Sequence, residues 1–316
     1  MKFKSLKVTF ILTTIILMTS CVGDDTGQPI NNTPGTFQII AASENHTVLE
    51  QALIDTGLDD VLNTGIYTVF APDDEAFEAI DLSSLSNEEL TNILLNHVIN
   101  GNATSTDFGN AYIKTNATES FTGDDNLLDM YVNVDGGITL NGEATVTEED
   151  IEAINGTVHV VDTVIQLPTV VTLAASNPNF SNLATALTQE DLLDTLSTNF
   201  DTSPAPFTVF APNNSAFENF IAEDNGFDSV EQILDSPILS DILTYHVLPE
   251  SGILEENIAD GAMPSTIQGE SFTINTVIDV TITDQNDRVV NVIATDVIGT
   301  NGVIHVIDNI LLPTLP

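Results

Sequence analysis

Residues 67–77 read YTVFAPDDEAF, and residues 207–217 read FTVFAPNNSAF, identical at seven of eleven positions. Each copy opens with a short apolar, β-prone run, Thr68-Val69-Phe70-Ala71 in the first. The run stops at a proline, which cannot donate to a β-ladder. Asp73 and Asp74, or Asn213 and Asn214 in the second copy, are residue types preferred at helix N-caps. Ala76-Phe77 and Ala216-Phe217 then predict a helix whose phenylalanine packs inward. The stretch therefore reads as strand, sharp corner and capped helix, written twice.

Two further blocks recur in the same order. ILLNHVI (93–99) returns as ILTYHVL (242–248), and INGTVHVVDTVIQLP (154–168) returns as TNGVIHVIDNILLP (300–313). A repeat of this length is the size of a folding unit, so it predicts two domains rather than a solenoid. The middle block lies on a helix. Ser86-Asn87-Glu88-Glu89 forms a capping box. Leu90, Ile93, Leu94 and His97 follow on one face. In the second copy Asp235-Ser236-Pro237 starts the helix, proline suiting its first turn, and Leu239, Ile242, Leu243 and His246 repeat the spacing. Each copy then closes in β-rich stretches such as Val158-His159-Val160-Val161, and Gly136-Gly137 fits a hairpin turn. Helices crowd the first half of each copy and strands the second, an α+β pattern.

The ends carry different information. Lys2, Lys4 and Lys7 precede the apolar run Val8–Met18, which is followed by Thr19, Ser20 and Cys21. A basic start, a short apolar core and small residues describe an export signal over residues 1–21. Met18-Thr19-Ser20-Cys21 resembles the lipobox of bacterial lipoproteins, which implies a lipid on Cys21, the chain's single cysteine. Residues 22–36, rich in Gly, Pro, Asn and Asp, read as a flexible tether. Asp24 and Asp25 resemble the acidic signals that send some lipoproteins to the outer face of the cell.

All 47 Asp and Glu follow Cys21, and after it only Lys114 and Arg288 oppose them. Such a field repels nucleic acid and anionic membrane, and excludes both as partners of the domains themselves. Yet 42% of the residues are hydrophobic, too many for a disordered acidic chain. The dispersed charge suits solubility in saline surroundings, Ca²⁺ binding or attraction of a cationic partner.

TVFAPDDEAF, NHVI and GTVHVVDTVIQLP together resemble a fasciclin domain, and the second copy resembles another. The resemblance covers 37–168 and 169–316. It implies two tandem domains, each a wedge-shaped β-sandwich with packed helices, and a secreted or membrane-anchored protein of adhesion or matrix binding without enzymatic activity. Tyr245-His246 resembles the family's adhesion-linked Tyr-His motif, which makes these two the candidate binding residues; the first copy has Asn96-His97 there. Read from the residues alone, a Tyr-His on a buried helix face satisfies hydrogen bonds in the core. Both readings stay open at this point.

Little else points to chemistry. Four of the five histidines pair off between the copies, His97 with His246 and His159 with His305, as structural positions would; His46 has no obvious partner. No Gly-x-Ser-x-Gly elbow, clustered zinc-ligand set or phosphate-cradling loop appears. No catalytic or metal residue is assigned. Calcium is the one ligand left open, at Asp124-Asp125-Asn126 with Asp129, and at Asp284-Gln285-Asn286-Asp287; neither matches EF-hand spacing. The expected protein is a lipid-anchored envelope or cell-surface module binding an extracellular protein or polysaccharide. The alternatives are an enzyme or accessory acting on extracellular polymer, and a purely structural envelope protein.

Overall fold

The computed structural model describes residues 33–223 and 226–314. The export signal, Cys21, the acidic pair after it and most of the expected tether lie outside the described residues. The tether's last residues are already docked. The Pro34 carbonyl accepts the Ile154 amide at 2.9 Å, and buried Thr36 donates its hydroxyl to the Leu62 carbonyl.

The first copy contributes β1 (Tyr67–Pro72), β2 (Val98–Asn100), β3 (Ala111–Thr118), β4 (Leu127–Asn133), β5 (Thr139–Leu140), β6 (Ala144–Ala153) and β7 (Gly156–Val161). They form one sheet in the order β2-β1-β7-β6-β5-β4-β3. The second contributes β8 (Phe207–Pro212), β9 (Val247–Leu248), β10 (Thr273–Asn275), β11 (Thr281–Thr283), β12 (Val289–Gly299) and β13 (Gly302–Ile307), ordered β10-β11-β12-β13-β8-β9. In each sheet the quoted strand runs parallel to the last strand of its copy, with Phe70 opposite His159 and Phe210 opposite His305.

Alternation along the quoted strand sorts two cores. Val69 and Ala71 pack on the helical side with Leu49, Leu53 and Leu94. Phe70, between them, packs on the opposite side with Met130 and Val132 of β4 and Leu140 of β5. Those strands lie well away from β1 in the sheet order, so the sheet must curl back over Phe70. Period-two side-chain direction thus gives each copy a helix-covered face and an inner fold. The second copy repeats this with Ala211 on the helical side and Phe210 on the inner side with Phe272 and Ile282.

The parallel pairing requires two glycines. Gly156 has φ +150° and Gly302 +158°, and a Cβ on either would lie 1.8 Å from the Tyr67 carbonyl oxygen or 2.3 Å from that of Phe207. Beside each stands an asparagine that the sequence reading passed over. Asn155 donates to the Leu62 and Gly65 carbonyls and accepts the Thr36 amide. Asn301 donates to the Leu196 and Thr198 carbonyls and accepts the Val170 amide. Each side chain ties the start of its copy to the segment that precedes the quoted strand.

The helix Asn87–Asn96 begins with the expected capping box between Ser86 and Glu89. After the quoted corners the copies differ. The second forms the helix Asn214–Ala222, capped by Asn213 on the Ala216 amide, whereas the first makes only a 3-10 turn, Ala76–Ala79. Asp81 accepts the Ser83 amide and starts a separate turn, Leu82–Ser84, which ends the first helix early. Asp74 and Asn214 cap a neighbouring helix rather than their own: Asp74 accepts the Val48 amide, and Asn214 the Asn182 amide.

The two copies share a core at their junction. Ala117 and Leu128 of the first pack with Leu254, Ile298 and Val303 of the second. Around it the Tyr112 hydroxyl donates to the Leu173 carbonyl at 2.7 Å, and the Asp129 carboxylate accepts the Ile298 amide at 2.6 Å.

Candidate functional site

Tyr245 ends the helix Leu239–Tyr245 and is 0% exposed. Its ring meets Phe272 edge-on at 5.7 Å between centroids, and its hydroxyl donates to the Ser271 carbonyl at 3.1 Å. Burial first, then the nearby Asp284 charge, pushes its ionisation well above the usual tyrosine range. His246 is also buried. Its Nδ1 lies 2.7 Å from the Ile242 carbonyl and its Nε2 accepts the Leu311 amide at 2.9 Å. An acceptor Nε2 leaves the ring hydrogen on Nδ1, donated to the carbonyl. Neither side chain of the candidate pair reaches the surface, so neither touches a partner directly in this conformation.

His97 repeats this geometry on the Ile93 carbonyl and the Ile165 amide. Desolvation lowers the pKa of both histidines to about 4. His159 and His305 form the second pair. Each takes a backbone amide at Nδ1, from Asp150 or Asp296, and each Nε2 donates to a carbonyl, of Ala103 or Ile253. Burial lowers their pKa as well. The repeated histidines are neutral struts in the core.

Of the calcium candidates, Asp129 and Asp284 are internally engaged. The Asp284 carboxylate accepts the Asn286, Arg288 and Leu312 amides and the Arg288 guanidinium. Arg288 also binds Glu223 at 2.7 Å and lies over the Phe220 ring. Asp129 is 4% exposed and is taken up by Lys114 and the Ile298 amide of the second copy. Among the described residues no group of three or more His, Cys, Asp or Glu could hold a metal ion.

What remains open is a groove of about 980 Å³ where the copies meet. Helix Asn87–Asn96 and the end of β3 line one side, and Asn199, Phe200, Asp201 and Thr300 the other. Phe200 is 38% exposed in it. Glu88, Glu89, Asp125 and Asp201 stand exposed around it, and none of the lining residues is basic. Carboxylates of one sign lining a cleft reinforce one another's field and concentrate cations. Reading the sequence missed this groove because it is made by residues far apart in the chain.

The sequence model of the fasciclin domain matches residues 44–168 and again 178–313. The chain belongs to the fasciclin domain family. Human periostin is 29% identical over 296 residues, which cover 90% of this chain and 32% of periostin. The pig transforming growth factor-beta-induced protein ig-h3 is 29% identical over 258 residues, covering 79% of this chain and 35% of its own. The chain therefore spans about a third of the length of these two fasciclin relatives. Protein sll1483 of Synechocystis is 38% identical over 152 residues, 46% of this chain and 74% of that protein. In fold, the chain is similar to a FAS1 domain pair from the insect cell adhesion molecule fasciclin I. The TM-score is 0.52 at 22% identity, over 83% of this chain and 95% of that one. The names of these relatives carry no enzymatic activity. Among the described residues no helix is long and apolar enough to cross a membrane.

Proposed function

We propose that this fasciclin pair is a bacterial surface lipoprotein, held by a lipid on Cys21, that acts as an adhesion module for an extracellular protein or polysaccharide bearing positive charge. The acidic groove between the copies, with Phe200 exposed in it, carries this reading. A cationic polymer segment laid there gains Coulomb attraction along its length and an aromatic face for its apolar or cationic groups. The lipobox-like Met18–Cys21 supports the anchor, and the adhesion role named for the insect fasciclin pair supports the class of function.

The test coats beads with residues 33–316 and scores retention by cells of the source organism and by chitosan, against neutral dextran, at low and high salt. Retention that falls with salt and drops about tenfold in Phe200→Ala/Asp201→Asn supports the groove. Equal retention of dextran, or an unchanged double variant, would overturn it. The anchor is tested separately, by whether Cys21→Ala releases the protein from the membrane fraction.

A further inference from the structure

The β3–β4 hairpin of the first copy supplies part of the groove wall, through Thr118, Glu119, Ser120 and Asp125. Its ladder pairs Ala111 with Val132 and Lys114 with Asp129. The second copy's matching ladder pairs Ala262 with Ile274 and Ser265 with Ser271. Val132 and Ile274 hold the same place, each also facing the next strand, at Leu140 or Ile282. Lys114 and Asp129 stand fifteen positions apart, Ser265 and Ser271 only six, so the first copy's hairpin is nine residues longer.

The added length folds into a closed tip. Glu119 is 1% exposed, and its carboxylate accepts the Thr122 amide at 2.9 Å, the Thr122 hydroxyl and the Asn126 side-chain amide at 2.9 Å. The Glu119 amide donates in turn to the Asn126 carbonyl. A buried carboxylate satisfied from within its own loop fixes that loop's shape. The tip carries Phe121, which packs on the core shared by the two copies. A Cβ on Gly252 of the second copy would lie 2.3 Å from its ring. The Gly252 backbone lies outside the left-handed region, so the ring alone keeps a side chain out.

Gly252 ends the segment that supports the opposite wall. Just before it, the Glu250 amide donates to the Pro204 carbonyl at 2.8 Å and the Ser251 amide to the Pro206 carbonyl at 2.7 Å. The Glu250 carboxylate also accepts the Ser203 hydroxyl at 3.0 Å. The loop these bonds hold brings Asn199, Phe200 and Asp201 into the groove. Its start is fixed by Asn301, which donates to the Thr198 carbonyl at 2.9 Å.

We propose that Phe121 is a positioning residue for the groove. Seated on Gly252, it clamps residues 250–252 and through them holds Phe200 and Asp201 across from the helix Asn87–Asn96. Phe121 is not among the lining residues, so its effect on a ligand travels through the Phe200 loop. The inference rests on the groove reading above for the ligand, but not for the clamp.

The test uses residues 33–316, which form one compact unit, and reads hydrogen exchange by NMR beside retention on chitosan. The Thr202 and Ala205 amides donate to the Asn199 and Thr202 carbonyls and report the order of the Phe200 loop. Phe121→Ala should speed their exchange about tenfold and leave the amides of the helix Leu239–Tyr245 unchanged. It should also lower chitosan retention as far as Phe200→Ala does. Glu119→Gln, which puts a donor where the tip needs an acceptor, should act in the same direction, and it keeps the test open should Phe121→Ala lose the fold. Gly252→Ala should unseat the ring with the same result, and should add nothing in a chain that already carries Phe121→Ala. Unchanged exchange at Thr202 and Ala205 in Gly252→Ala and Glu119→Gln overturns the proposal, as do additive effects of Phe121→Ala and Gly252→Ala. Faster exchange with unchanged retention supports the clamp and overturns the groove reading instead.

Discussion

Lys114 places its Nζ 2.7 Å from the Asp129 carboxylate, and the same Oδ2 accepts the Ile298 amide of the other copy. Lys114 also donates to the Asp296 carbonyl at 3.2 Å. One of the two basic residues after Cys21 is therefore spent on the junction. Lys114 is partly exposed whereas Asp129 is buried, so the two are not equivalent. Lys114→Met strands a buried carboxylate and should cost about 2–4 kcal/mol. Asp129→Asn keeps an acceptor for the Ile298 amide and should cost about 1 kcal/mol. Urea titrations of both variants at pH 7 check the order; a larger loss for Asp129→Asn would mean the lysine contributes nothing.

The buried histidines set a pH dependence. An unfolded imidazole binds a proton near pH 6.5, whereas folded His97 and His246 resist one until about pH 4. Their stabilisation is complete above pH 6.5 and declines as pH falls toward 4, by up to about 1.4 kcal/mol per unit for each ring. Urea midpoints at pH 7.0, 6.0 and 5.2 should fall steadily. His97→Gln, which cannot take the proton, should be less stable at pH 7 and show a shallower slope. An unchanged slope would assign the effect elsewhere.

Tyr245 invites a misleading experiment. Tyr245→Ala empties a packed aromatic site and should cost about 3–5 kcal/mol, enough to unfold the second copy in part. Tyr245→Phe loses only the bond to the Ser271 carbonyl, about 1 kcal/mol. The expectation is that bead retention is lost in the first variant together with near-UV circular dichroism, and kept in the second. Retention lost in a fully folded Tyr245→Phe would return the hydroxyl to a direct role.

Gly156→Ala and Gly302→Ala should each prevent folding of their own copy, because the added Cβ meets backbone that cannot move without breaking the parallel strand pair. Expression of soluble, protease-resistant protein measures this. Normal yields for both would mean that the strand pair accommodates the methyl group.

Much of the fold was legible in repeated short patterns. Strand, corner and cap in 67–77 depend on residues within a few positions of one another, and so does the Ser86–Glu89 box. Two copies of each pattern made the reading firmer, since chance would not preserve Leu90, Ile93, Leu94 and His97 together with their counterparts. What failed to show was long-range. Helix length after Phe77 depended on Asp81 competing as a cap, and Asp74 served another helix 26 residues away. The roles of Asn155 and Asn301 were visible only as an Asn-Gly repeated in both copies. Leu239, Ile242 and Leu243 pack on the helical side, whereas Tyr245 packs on the inner side with Phe210 and Phe272. The apolar stripe therefore did not disclose its place, and the family motif pointed the other way. His46 was noted as lacking a partner, and the structure supplies one in the Ser43 hydroxyl.

The junction joins unlike surfaces. The first copy presents β3 and β4, and the second answers with β12 and β13. By sheet order, the second copy's counterpart of β4 is β10, and the first copy's counterparts of β12 and β13 are β6 and β7; none of these takes part in that shared core. A contact of this head-to-tail kind uses two different patches rather than one self-complementary patch. The pair has unlike free ends, and on the first copy Glu152 and Thr157 stand where the second copy places Ile298 and Val303, so a further copy would not find the same apolar contact there.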